Sequence, residues 1–221
     1  MKIAHISDTH IKLLKHHDTY RNIFEQLYAS LRKEKVDYIF HLGDLFHNKT
    51  QLSPEAVQLA SEFLNNLANI APVILIAGNH DGLLKNLDRQ DAITPIVKAL
   101  NNPKITFLKN SGEYVLNNEV TLNVLSIFDR DNWVKTSNVE KINIALYHGA
   151  IEGCKTDTGW VMKDTDDDVS IFNNFDYAFL GDIHRQQPIS KQTIEERFIN
   201  KDELENYIKN GWIVDNDCFG S

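Results

Sequence analysis

Short apolar runs alternate with amphipathic stretches over residues 1–188, and that alternation predicts an α/β protein. The runs at 3–6, 38–42, 73–77, 142–147 and 177–180 are too short for helices and several are β-branched, so they read as buried strands. Residues 21–33 place Ile23, Leu27 and Leu31 at four-residue spacing, a helical stripe. Ser53 before Pro54 and Glu55 reads as an N-cap, with Val57, Leu59, Phe63, Leu64 and Leu67 as the apolar face of the helix behind it. A third helix is predicted over about 89–100, interrupted before Pro95. Residues 105–128 alternate and turn at Asn117-Asn118, the pattern of antiparallel strands. Past Pro188 the pattern fades. Residues 189–221 offer one short helix around 201–209, stopped by Gly211, and read as a tail behind a single domain at 1–188.

Composition narrows the class. With 221 residues, 42% hydrophobic and 24% charged, the chain is neither collagenous, disordered nor stapled by disulfides. The formal charge of -8 argues against gripping nucleic acid by a broad basic surface. It leaves room for an enzyme whose cations are metals, since metal charge is absent from that sum. No apolar run reaches membrane-spanning length, and the first ten residues lack the features of a signal peptide. Cys154 and Cys218 fit a reducing compartment, so a cytoplasmic location is expected, the host cytoplasm if the gene is carried by a phage.

The informative residues follow the strands. Asp8-Thr9-His10 follows the first, Gly43-Asp44-Leu45-Phe46-His47 the second and Gly78-Asn79-His80-Asp81 the third. His148-Gly149 and Gly181-Asp182-Ile183-His184 follow the last two runs. In α/β sheets the ligand site lies beyond the carboxyl ends of the strands, so these clusters can converge. Carboxylate, amide oxygen and imidazole together suit Mn, Fe, Mg or Zn. A lone Asp-x-His or Gly-Asp is usually only a turn; five such clusters in order, each behind a strand, are not explained that way. Other polar and aromatic residues receive plainer readings. His5 and His41 read as packed strand residues, His16 and His17 as solvated, Trp133, Tyr147 and Trp160 as packing rather than base-stacking, and Asp164 to Asp168 as a solvated loop.

In these motifs the sequence resembles the calcineurin-like metallophosphoesterases, whose pattern is D-x-H, G-D, G-N-H-D, H and G-H-x-H. Within that family it looks most similar to the SbcD-type DNA-repair nuclease branch of phages and large viruses. The resemblance implies a four-layer α/β/β/α sandwich of two mixed sheets with two divalent cations, manganese foremost. One cation would be held by Asp8, His10, Asp44 and His184, the other by Asp44, Asn79, His148 and Asp182. His80 would stabilise or protonate the leaving oxygen, Asp81 would orient His80, and His47 would face the substrate. DNA is the implied substrate, cut as an exo- or endonuclease, and an SbcC-type coiled-coil ATPase the implied partner.

Two departures stand out. Asp182 replaces the usual first histidine of G-H-x-H, with two readings, a harder ligand or a carboxylate pointing away. After Gln187 the closing strands, capping domain and ATPase-binding helices of the nuclease subunits are missing. Residues 201–212 instead resemble the tail element of phage HNH endonucleases, which suggests an interrupted or naturally short form. Two rival functions follow: a phosphoesterase acting on a nucleotide or phosphoprotein, and a non-catalytic binding or regulatory module.

Overall fold

Strands β1 (Ile3–Ile6), β2 (Tyr38–Leu42), β3 (Val73–Ile76) and β4 (Ile105–Phe107) pair in parallel and in chain order. Successive parallel strands are joined by α1 (His17–Glu34), α2 (Pro54–Ala68) and α3 (Ile93–Leu100). Crossovers of this kind are right-handed, so stepping always in one direction puts all three helices on one face. That face is the larger core, where Phe24, Leu31, Phe63 and Leu67 meet Ile6, Ile39, Val73 and Leu75. This computed structural model describes residues 1–12, 14–49, 51–134, 140–185 and 187.

The other face of the sheet also needs cover, because alternate residues of its strands, Phe40, Leu42, Ile74 and Ile76, are equally apolar. A second sheet supplies it. Strands β5 (Gly112–Val115), β6 (Val120–Leu125), β7 (Ile142–His148) and β8 (Tyr177–Gly181) lie in that order, with β5 antiparallel to β6 and the others parallel. Its residues in the contact are Val120, Leu122, Val124, Ile144 and Leu146. The outer face of the second sheet carries Leu125, Ala145 and Tyr147, covered by Ile151, Cys154 and Phe175. Helices, sheet and sheet thus follow the expected layering. The fourth layer, among the described residues, is irregular chain with 3-10 turns at Arg130–Asn132 and Val169–Phe172.

Several local expectations shift. The second helix starts as the sequence implies, with Ser53 Oγ accepting from the Ala56 N–H at 3.2 Å. The third begins only at Ile93, because the Asp91 carboxylate takes the N–H groups of Ile93 and Thr94 at 3.0 and 2.6 Å. Pro95 then falls in the first turn, where no helical hydrogen bond is lost, so the helix is not interrupted. Within 105–128, β4 joins the first sheet in parallel and only β5 and β6 form the antiparallel hairpin. At its turn Asn117 Oδ1 accepts from the N–H of Glu119 and Val120 at 2.8 and 2.9 Å.

Two residues read as solvated are buried. His17 opens α1, with a ring nitrogen 3.1 Å from the Lys12 carbonyl. Asp167 leaves the acidic run for the interior, accepting from the Tyr147 hydroxyl at 2.6 Å and from Arg130 at 3.0 and 2.8 Å. The expected helix at 201–209 and the tail element lie outside the described residues.

Candidate metal centre

The strand ends meet across the two sheets at the Leu42 carbonyl, which accepts from Ser7 Oγ at 3.0 Å and contacts His148 Nδ1 at 2.6 Å. Space there is minimal. A Cβ on Gly43 (φ +92°) would lie 2.7 Å from the Gly78 Cα, and one on Gly181 would collide with the Leu42 carbonyl and Ser7 Oγ. Glycine at both positions is what lets β2, β3, β7 and β8 close on one point.

The donors themselves are held in strained backbone. Asp8, His10, Asp44 and Asp182 have φ of 56°, 43°, 56° and 82°, in the left-handed region. Each such residue costs about 1–3 kcal/mol and persists only where surrounding contacts impose it. Those contacts are present. The loops after β1 and β2 are joined by Asp8 N to Gly43 O at 3.0 Å, His10 N to Asp44 O at 2.9 Å and Ile11 N to Leu45 O at 3.0 Å. Beneath them Asp81, fully buried, accepts from the N–H of Asp44, Leu45, Phe46 and Gly78 at 2.7, 3.0, 3.3 and 2.9 Å.

Side chains from five strand ends then converge. Asp44 turns Oδ2 toward His10 Nε2 at 3.5 Å and Oδ1 toward His148 Nε2 at 3.4 Å. Asp8 Oδ1 lies 3.8 Å from Nε2 of both His10 and His184. Asp182 directs its carboxylate inward, with Oδ1 3.7 Å from His148 Nε2 and accepting from Asn79 Nδ2 at 3.2 Å. Two groups, Asp8 with His10 and His184, and Asp8 with Asp44 and His148, each keep their donor atoms within 4.8 Å of one another.

These residues fit divalent cations on a further observation. Asn79 Oδ1 and His148 Nε2 are buried without a hydrogen-bond partner. Leaving such atoms unsatisfied costs about 1–3 kcal/mol each, and both are lone-pair donors lying among carboxylates. The charges agree. Burial alone would lower His148, but Asp44, Asp8 and Asp182 outweigh it and raise its pKa to about 9. The nitrogen that attracts a proton there would equally attract a cation, and cation binding would release that proton. Burial raises the Asp8 carboxyl. It opposes the charge of Asp44 too, but His148, the His80 N–H and His10 outweigh it and hold Asp44 below the usual carboxylate range. Burial, with the neighbouring His80, His184 and His47, lowers His10 to about 4 despite Asp44, so its ring is neutral and able to ligate near pH 7.

The three residues expected to act on substrate are placed differently from one another. The His80 N–H donates to Asp44 Oδ1 at 2.8 Å, and its ring Nδ1 lies 2.6 Å from the His47 carbonyl. A carbonyl only accepts, so Nδ1 carries a proton and Nε2 is the ring nitrogen left for other work. His47 is exposed, and its ring stacks on His80 with centres 5.7 Å apart. The family resemblance implies that Asp81 orients His80. Its carboxylate is instead occupied by the four backbone donors, and the His47 main chain holds the His80 ring. Burial, then Asp44, push the Asp81 carboxyl up to about 7 against the pull of those donors.

Supporting residues are not legible in the motifs. The Tyr20 hydroxyl donates to the His10 carbonyl at 2.6 Å, and Thr9 Oγ1 joins the Leu45 carbonyl at 3.3 Å to His41 Nε2 at 3.0 Å. Tyr20 comes from a helix and His41 from a strand interior, where sequence spacing carries no sign of either role. Of the aromatic residues, Tyr147 and Trp133 are packed, the latter donating Nε1–H to the Ser126 carbonyl at 2.8 Å, while Trp160 is exposed.

The family model for calcineurin-like phosphoesterases matches residues 1–186. An uncharacterized protein, R555, of Acanthamoeba polyphaga mimivirus is 40% identical over 199 residues, covering 84% of this chain and 15% of its own length. The DNA double-strand break repair protein Mre11 of Methanococcus maripaludis is 27% identical, covering 96% of this chain and 61% of its own. The SbcD component of the SbcCD nuclease of Staphylococcus epidermidis is 26% identical, covering 88% of this chain and 60% of its own. The chain therefore spans less than two thirds of each of these relatives. No helix among the described residues is long and apolar enough to cross a membrane.

Proposed function

The chain belongs to the calcineurin-like phosphoesterase family, and from that premise we propose that it is a two-metal phosphodiesterase acting on DNA, a nuclease of the SbcD type. The observation that carries the reading is Asp44, whose two oxygens face His10 on one side and His148 on the other. A carboxylate placed in this way can serve two cations, as in-line phosphoryl hydrolysis requires. Asp8, His10, Asp44 and His184 would hold one cation, and Asp44, Asn79, His148 and Asp182 the other. Bound there, the pair supplies Lewis-acid neutralisation of the phosphate oxygens and activation of a water nucleophile. Asp182, a carboxylate where imidazole is usual, hardens the second set and favours manganese or magnesium over zinc.

The protein's own contribution is positional and protic. Asp81 fixes the backbone of residues 44–46 and of Gly78, so that Asp44 and Asn79 keep their separation. The His47 carbonyl engages the Nδ1–H of His80, so the ring would have to carry a second proton, on Nε2, to donate a proton or hydrogen bond to the departing oxygen. DNA as substrate rests on the nuclease names of the relatives, an SbcC-type ATPase as partner rests on the same likeness, and a cytoplasmic setting rests on the two cysteines, Cys154 and Cys218. Hydrolysis of a bis-aryl phosphate and of single-stranded DNA, each with manganese, tests the reading. Turnover of both supports the nuclease. Turnover of the small ester alone points to a nucleotide or phosphoprotein substrate, and turnover of neither to a binding module.

A further inference from the structure

His10, His47 and His80 come from the loops after β1, β2 and β3, and their rings form a triangle. Ring centres are 4.9 Å apart for His10 and His80, 5.7 Å for His10 and His47, and 5.7 Å for His47 and His80. One nitrogen of each lies within 4.8 Å of those of the other two. Geometry gives these distances a meaning. With metal–nitrogen bonds of about 2.0–2.1 Å and about 1.1 Å from nitrogen to ring centre, three imidazoles on a tetrahedral ion have centres about 5.2 Å apart. The triangle, with centres 4.9, 5.7 and 5.7 Å apart, is near that spacing. What remains is to bring the nitrogens to about 3.3 Å from one another, the edge of such a tetrahedron. His47 is exposed, so its ring has room to turn toward the other two.

We propose that His10, His47 and His80 form a third cation site, which takes a borderline transition metal such as zinc or nickel. Its donors are all nitrogen, whereas the adjoining sets are rich in carboxylate, so it selects against magnesium and manganese. His80 Nδ1 is engaged by the His47 carbonyl at 2.6 Å, so Nε2 is its remaining ligand atom. An ion bound here therefore takes the nitrogen that would serve the leaving oxygen, and the site is inhibitory. His10 is common to both arrangements, since its Nε2 also lies 3.5 Å from Asp44 Oδ2. Filling the triangle thus loosens the first cation as well.

Zinc binding by the full chain, measured by equilibrium dialysis at one fixed manganese concentration below saturation so that His10 stays open to exchange, tests this. The variants are His47→Gln and His80→Gln, neither of which removes a donor of the two-cation sets. Losing a direct ligand costs at least as much affinity as losing an outer partner, so each should bind zinc at least about tenfold more weakly than wild type. Cobalt gives a second readout, as the visible bands of a tetrahedral nitrogen site should weaken in both. Manganese retention by each variant verifies that its fold is intact. Zinc that merely replaces manganese among the carboxylates would bind all three proteins alike. Unchanged zinc affinity in either variant overturns the proposal.

Discussion

At the residue scale the decisive contrast is between Asp44 and His80, which touch each other yet have different tasks. Asp44 presents one oxygen to each side of the centre, while His80 meets it through a backbone N–H at 2.8 Å and turns its ring Nδ1 to the His47 carbonyl, which in the proposed mechanism leaves the ring to serve the substrate. Asp44→Ala should therefore abolish binding of both cations. His80→Ala should keep them, since its main-chain hydrogen bond survives, and should lower turnover by roughly a hundredfold or more. Metal content by plasma emission and phosphodiesterase rate, measured on both variants, separate the two roles. Near-normal metal in Asp44→Ala, or lost metal in His80→Ala, would reverse the assignment.

Elements matter because the donors sit on loops, and loops hold position only when something ties them down. Around the first sheet the tie is Asp81. Around the second it is Asp167, which leaves an otherwise polar loop to meet Tyr147 on β7 and Arg130 behind β6. Arg130 also lies over the Trp133 ring, 4.9 Å from its centre. This pins the covering chain to the strand that ends in His148. Asp167→Asn keeps the shape but removes the charge, weakening the paired bonds to Arg130 and the short bond from Tyr147. The expected loss is about 1–3 kcal/mol of unfolding free energy, read from urea transitions. A variant as stable as wild type would show that the loop is held by apolar packing alone.

Across the whole molecule, burial of a titratable core residue sets a pH dependence of stability. His41 is fully buried between the helices and the centre, and burial together with His148 lowers its pKa to about 3. Its Nε2–H can donate to Thr9 Oγ1, whose own proton goes to the Leu45 carbonyl, so the neutral ring is hydrogen-bonded where burial opposes a charged one. In the unfolded chain the ring titrates near its ordinary 6.5. The folded state is thus favoured in full above pH 6.5, and the advantage is lost as pH falls from there toward 3, by about 1.4 kcal/mol per unit. His41→Gln should flatten the fall of unfolding free energy between about pH 6.5 and about 4.5 by about one proton's worth. An unchanged slope would place the acid sensitivity elsewhere.

The sequence by itself determined the strands, the order of the clusters behind them and the donor types, because each is written in local spacing. A buried strand must be a short apolar run, and a tight turn at its end needs Gly, Asp or Asn whatever surrounds it. The boundaries of the third helix escaped that reading, since Asp91 caps it through a side chain that looks like any other surface acid. Strand 105–107 escaped it too: parallel pairing with β3 is a long-range choice that alternation cannot express. So did the support of the centre. Nothing local says that Asp81 spends its oxygens on the β2 loop rather than on its neighbour His80, that Asp182 turns inward toward Asn79, or that Asp167 is buried while the acids beside it are not. Each of those outcomes depends on which backbone donors a distant loop leaves unpaired once the two sheets have closed, and only the tertiary structure decides that.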